Sequence, residues 1–269
     1  MTYGRSWQTW QPWDRGERLS ILQLVASGTL DLRLAGLLWL IMEHRASAIV
    51  AAGPSFAGKT TLLNCLLDFL PPSVQQVHLR GEDEDFRFLE NAEPARTYMV
   101  AEEISPHLYE YVWGAVARKM FALLSEGYAF GATTHARSAE EVVYILARYL
   151  SIPLSALSRL GLVVTLRVGR ARGYSSEPAR QLDTVSLIGP GKGGLSIETL
   201  ASRGPEGTTE LAGDRALEAA LASRFGLQGI VSEELHRREH FLDQLAAEGQ
   251  VSCDEVKQAA AEYYEARKE

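Results

Sequence analysis

The stretch AAGPSFAGKTTLL, Ala51 to Leu63, sets two glycines, Gly53 and Gly58, on either side of four residues and follows them at once with Lys59, Thr60 and Thr61. Those residue types in that order suit a polyphosphate. Glycines let the backbone turn with its N–H groups pointing inward, and the start of a helix adds its positive end to the same spot. On this reading Gly53, Pro54, Ser55, Phe56, Ala57, Gly58, Lys59, Thr60 and Thr61 form a nucleotide cradle. Lys59 reaches the β- and γ-phosphates, Thr60 offers its hydroxyl to Mg²⁺, and Thr61 adds a donor.

Turnover needs, in addition, a group that orients water, and in a parallel sheet it belongs at the carboxyl end of a strand beside the loop. TYMVAEE, Thr97 to Glu103, offers Glu102 or Glu103; Glu102 is the choice, because it follows the small Ala101 at the strand end. YAFGATTHA, Tyr128 to Ala136, puts His135 at the end of a further strand, where an imidazole contacts the γ-phosphate or the attacking water as a sensor. The run GEDEDF carries Glu82, Asp83, Glu84 and Asp85, which assist Mg²⁺ through water or orient the nucleophile if the fold brings them near, and otherwise form a solvated loop.

These groups need elements to hold them. ASAIVAA, Ala46 to Ala52, has the length of a buried strand, and TLLNCLLDFL has helical spacing and stops at Pro71 and Pro72. Before them, Arg18 to Ala26 and Asp31 to Glu43 read as helices separated by a stop and cap at Ser27 to Thr29. Trp7, Trp10 and Trp13, with Pro12 arguing against a helix, are expected to cap a domain edge. SVQQVHL is a strand, and one amphipathic helix is expected from about Pro106 to Glu126, between the strands that carry Glu102 and His135. LGLVVTLRV and LDTVSLI are further strands, while GPGKGG, with no Ser or Thr after its lysine, reads as a hairpin turn. Glu206 to Gly213 is loop-like, and everything beyond Asp214 is helical. Strands alternating with helices imply a largely parallel α/β sheet.

Composition sets the outer limits. With 269 residues, 46% hydrophobic and 23% charged, the chain supports a full core. A net charge of −7 gives no general attraction for nucleic acid or acidic lipid. The longest apolar run, Ala35 to Met42, is far short of the ~20 residues that span a bilayer. The first residues lack the basic and apolar pattern of a secretory signal, and Cys65 and Cys253 suggest neither a disulfide framework nor a zinc site, so residence in the cytosol is expected.

The order of these parts resembles the type II and type IV secretion ATPase family, which powers pilus, archaellum and secretion machines. The resemblance runs through the segment from Asp31 to Pro72, the strand with Glu102, EGYAFGATTHARSAEE and LGLVVTLRVGRARG, and extends to the helical tail from Ser232 to Tyr264. It implies a RecA-like P-loop NTPase core with a mostly parallel twisted sheet over residues 46–203, an N-terminal helical segment over 1–45 and a C-terminal helical extension over 204–269. Residue by residue, it makes Gly53, Gly58, Lys59 and Thr60 the nucleotide cradle and Glu102 the acid of the second Walker motif. His135 becomes a member of a histidine box, and Glu82 or Asp83 falls near an acidic box. Tyr128 stands where the family has the first histidine, and Ile104 where an arginine commonly follows the acid.

What the resemblance implies functionally is MgATP turnover coupled to movement or assembly of a membrane-embedded secretion or pilus platform protein, at the inner face of the membrane, by a homo-oligomer. The family's N-terminal domain, which completes a neighbour's site in a hexamer, has no counterpart in the residues before Gly53, so a full hexameric motor is not assured. Arg15, Arg18, Arg33 and Arg45 are the candidates to replace its charge-stabilising arginines. The alternative is a reduced relative that binds ATP as a regulatory or assembly subunit with little hydrolysis. Small-molecule phosphotransfer would need an arginine-bearing lid, and none is evident between Glu103 and Tyr128.

Overall fold

The computed structural model describes residues 18–169, 179–204 and 209–267; Trp7, Trp10, Trp13 and Arg15 lie outside the described residues. Local chemistry sets the element ends. Ser20 accepts from the Gln23 amide while the Gln23 side chain accepts from the Ser20 N–H, a reciprocal cap that opens α1, Ile21–Ala26. Asp31 caps α2, Leu32–Glu43, by accepting from the Leu34 amide. β1, Ala48–Ala52, then leads through the glycine loop into α3, Lys59–Leu67. After these come β2, Gln75–His78, β3, Thr97–Glu103, α4, Gly114–Leu123, and β4, Ala129–Thr134. The next elements are α5, Ala139–Arg148, α6, Leu154–Leu157, and β5, Gly161–Gly169. β6, Ala179–Gly189, β7, Ser196–Arg203, and β8, Thr209–Leu211, precede α7, Asp214–Phe225, α8, Val231–Ala247, and α9, Cys253–Ala266.

The strands form one sheet in the order β2-β3-β4-β1-β5-β6-β7-β8. From β2 to β5 all neighbours are parallel; from β5 to β8 they are antiparallel. A strand order with the loop-bearing strand between β4 and β5, and β3 one place further out, is that of a RecA-like P-loop core. It also sets the carboxyl ends of β1, β3 and β4 side by side, which a crevice for catalysis requires.

Both faces of the central strands are covered, which is why β1 is apolar throughout. Ala48, Val50 and Ala52 join a hydrophobic cluster with α1, α2, α3 and the helices α7 to α9. Ile49 and Ala51 face the opposite way, into a cluster built by α4, α5 and α6. The C-terminal helices therefore share the core of the sheet's first face.

Two expectations from sequence are corrected. The helix between β3 and β4 begins at Gly114 and not near Pro106. The chain from Ser105 to Trp113 makes an excursion whose ends are tied by a bridge between Ile104 and Val112, with the Val112 amide donating to Glu103 O at 2.9 Å. Those bonds use the backbone groups a helix would need. The second is the loop expected from Glu206 to Gly213, which contains β8, paired with β7 through Ala201 and Leu211. GPGKGG does form the turn of a hairpin, closed by Gly194 N–H donating to Gly191 O at 2.9 Å between antiparallel β6 and β7.

Candidate functional site

The loop between β1 and α3 is folded by two residues in the left-handed region, Phe56 at φ 58° and Gly58 at φ 90°. At Gly58 only the absence of a Cβ makes that conformation inexpensive. Helix α3 starts at Lys59 with no side chain capping it, and its first amide to find an acceptor inside the helix is that of Leu62, on Gly58 O at 2.9 Å. The first amides of a helix are otherwise unsatisfied, so this end is prepared for an anion. Pro54, Ser55 and Phe56 are exposed at the rim, Ala57 is buried beneath them, and Thr60 stands exposed at the helix start.

Which carboxylate faces the loop is decided by an irregularity in β3. Tyr98 and Val100 point to the α3 side of the sheet, so simple alternation would aim Glu102 the same way. The pairing with β4, however, goes from Val100–Gly131 to Glu103–Thr133, three residues on one strand against two on the other. This bulge inserts one residue, and a one-residue shift moves every later side chain to the other face. Glu103, not Glu102, consequently comes to lie 3.8 Å from Lys59 Nζ, and it is buried. Glu102 instead presents its carbonyl to Thr133 Oγ1 at 2.7 Å, which secures the bulge.

His135 closes the group from β4. Its Nδ1 lies 3.1 Å from Gly53 O, and a carbonyl only accepts, so Nδ1 carries the proton. In the neutral ring Nε2 is then an acceptor, and Lys59 Nζ donates to it across 3.3 Å. Glu103 Oε2 is 3.5 Å from the same Nε2. Lys59 thus bridges an imidazole and a carboxylate. Burial pushes its ammonium below the ordinary lysine value, and the neighbouring Glu103 works in the opposite direction.

The other residues singled out from sequence lie elsewhere. Glu82 is exposed on a 3-10 turn, its amide donating to Tyr109 O at 3.0 Å, and no hydrogen bond or ion pair joins it to Lys59, Glu103 or His135. Asp83 accepts from the Tyr109 hydroxyl at 2.5 Å. Tyr128 precedes β4, at the end of the sheet opposite the loop, and donates to Ala92 O at 3.3 Å. Ile104 is buried among apolar neighbours. Arg18 binds Asp68, Arg33 reaches Asp214, and Arg45 donates to the carbonyls of Pro94 and Thr97, so none of these arginines serves the loop. Two arginines that sequence reasoning passed over do border it. The Arg137 stem packs on Gly53, and Arg180 Nε donates to Phe56 O at 3.0 Å. Among the described residues there is no cluster of three or more His, Cys, Asp or Glu side chains fit to hold a metal, and no helix is long and apolar enough to cross a membrane.

No family model matches the chain. Among curated proteins it is similar to the uncharacterized protein MJ1287 of Methanocaldococcus jannaschii, 26% identical over 243 residues that cover 82% of this chain and 90% of that one. A shorter match, 51% identical over 67 residues and 24% of either chain, is to the phosphonates import ATP-binding protein PhnC 1 of Pseudomonas syringae. Among solved structures it is similar to the VirB11 ATPase of the Brucella suis type IV secretion system, with a TM-score of 0.39, 21% identity and coverage of 57% of this chain and 50% of that one. It is also similar to the Legionella pneumophila ATPase DotB, with a TM-score of 0.33, 10% identity and coverage of 81% and 62%. The match thus spans half to under two thirds of either ATPase.

Proposed function

We propose that the protein binds MgATP in the loop between β1 and α3 and hydrolyses it, with Glu103 as the residue that orients and deprotonates the attacking water. The observation that carries this reading is the contact of Lys59 with both Glu103 and His135 beneath an uncapped helix start. A triphosphate offers Lys59 a more highly charged partner than one carboxylate, so the ammonium transfers to the phosphates. Glu103 Oε2 is then free to accept a proton from water as the new O–P bond forms and the bond to the leaving diphosphate breaks. His135, its tautomer set by Gly53 O, keeps an acceptor nitrogen facing the same space.

The donor set also fits a hard cation used with phosphate, through the exposed Thr60 hydroxyl at the start of α3. Mg²⁺ held by Thr60 would neutralise charge between the β- and γ-phosphates. The ATP-binding name of the PhnC 1 match agrees with the nucleotide, and the resemblance of the motif order to secretion and pilus motors supports coupling of turnover to a membrane-embedded partner by a homo-oligomer.

The test is steady-state phosphate release with parallel nucleotide-binding measurements. Glu103→Gln is expected to bind MgATP as the wild type does and to lose roughly 10²- to 10⁴-fold in turnover, the size of a general-base contribution. Glu102→Gln is expected to stay within a few-fold of the wild type. The reverse pattern would return the role to Glu102; nucleotide binding without release in the wild type would leave an ATP-holding subunit.

A further inference from the structure

The geometry points to an arginine clamp supplied in cis: Arg137 and Arg180 reach the bound polyphosphate from the two ends of the glycine loop, so that this chain stabilises the transferring phosphoryl group without an arginine from a neighbour. This rests on the nucleotide reading above. Of the arginines first considered for this role, the described ones, Arg18, Arg33 and Arg45, are committed to other partners.

Arg137 follows His135 by two residues, between β4 and the first turn of α5, where its amide donates to Glu141 Oε2 at 2.6 Å and Ser138 caps the helix. Its backbone is therefore fixed. Its stem lies so close to Gly53 that a Cβ placed there would sit 3.1 Å from Cγ and 3.2 Å from Nε. A side chain at the first glycine of the loop would therefore push the Arg137 stem aside. At the other end, Arg180 on β6 spends Nε on Phe56 O, and its Cδ would be 3.3 Å from a Cβ on Gly58. Among the described residues its two terminal nitrogens have no hydrogen-bond partner and remain for a ligand.

Both arginines are exposed, and among the described residues neither is paired with a carboxylate. Exposed guanidinium groups at the two ends of the loop add their positive charge to that of the helix start, which an anion there would offset. A polyphosphate is such an anion, and it matches the planar fork of arginine donors. Arg180, which also braces the left-handed Phe56, positions the loop as well as touching the ligand. Among the described residues the Arg137 guanidinium makes no bracing bond, which leaves it for the phosphates.

The experiment compares turnover and binding in Arg137→Ala, Arg137→Lys, Arg180→Ala and the wild type, using MgADP and MgADP with aluminium fluoride as probes. Arg137→Ala is expected to lower kcat by on the order of 10³, in the range of arginine contributions to phosphoryl transfer. It should lose most of the preference for the aluminium fluoride complex while keeping MgADP binding, and Arg137→Lys should recover only part of either. Arg180→Ala is expected to weaken both probes. Adding an excess of Lys59→Ala protein, which carries both arginines but an incapacitated cradle, should not restore Arg137→Ala. Restored turnover would show that the arginine acts across subunits and overturn the proposal, as would an Arg137→Ala enzyme within three-fold of wild type. Failure of the wild type to bind either nucleotide probe would overturn the nucleotide reading itself.

Discussion

Lys59 bridges two groups with one ammonium, Glu103 at 3.8 Å and His135 at 3.3 Å, and on the proposed reading it turns from them to phosphate. Its replacement separates binding from folding. Ligand linkage gives about 2.7 kcal/mol of added stability at a ligand concentration one hundred times Kd, and Lys59→Ala is expected to erase the MgATP-dependent rise in Tm. A full rise in that variant would mean the nucleotide sits elsewhere. The strand, glycine loop and helix around Lys59 were legible from spacing alone. Which carboxylate faces Lys59 was not. Glu102 and Glu103 are adjacent and chemically alike, and what separates them is a bulge created by pairing with β4, a strand whose sequence lies some thirty residues away. His135 was legible as a strand-end residue, but its bond to Gly53 O was not.

The elements show the same division between local and distant causes. β3 occupies the residues its apolar run marks, Thr97–Glu103, and the Asp31 cap and the turn after β6 follow from short-range chemistry. The excursion from Ser105 to Trp113 and the three-residue β8 were missed because each is short, has little intrinsic pattern, and is held by backbone bonds, at Ile104–Val112 and to β7. Distant partners also govern α8. Burial tends to raise the Glu234 carboxyl, but hydrogen bonds from Arg267 and Arg238 outweigh it and hold the group at about 2, below the ordinary carboxylate value. A depressed value in the folded state adds stability above the unfolded value of about 4.5 and loses it as pH falls through about 2. The urea midpoint of the wild type should therefore exceed that of Glu234→Gln at neutral pH, with the gap closing between pH 4.5 and 2. A gap that does not change with pH would show that the pair contributes no linked stability.

Taken as one body, the protein has its C-terminal helices built into the same core as the phosphate loop. Trp39 of α2 stacks on Phe69, 5.1 Å between ring centroids, and its Nε1 donates to the Tyr264 hydroxyl at 2.7 Å. That hydroxyl in turn donates to Phe69 O at 2.6 Å, so α2, the end of α3 and α9 are joined through one buried oxygen. Tyr264→Phe leaves a donor and an acceptor without partners and is expected to cost about 1–3 kcal/mol. Tryptophan fluorescence and far-UV circular dichroism should still report one coincident unfolding transition; a separate early loss of helix would show the tail to be an independent unit.

Arg238 extends this to motion. Its guanidinium is fully buried, bound to Glu234 at 2.5 Å on its own helix and to Glu43 at the end of α2, while Arg267, which caps α9, holds Glu234 from the other side. Peeling α8 away would break the Arg238–Glu43 and Arg267–Glu234 pairs together. The tail is bolted down and cannot fray turn by turn. A displacement of α8 is handed through Glu43 to the segment that feeds Ala48, and so to the strand from which the glycine loop springs.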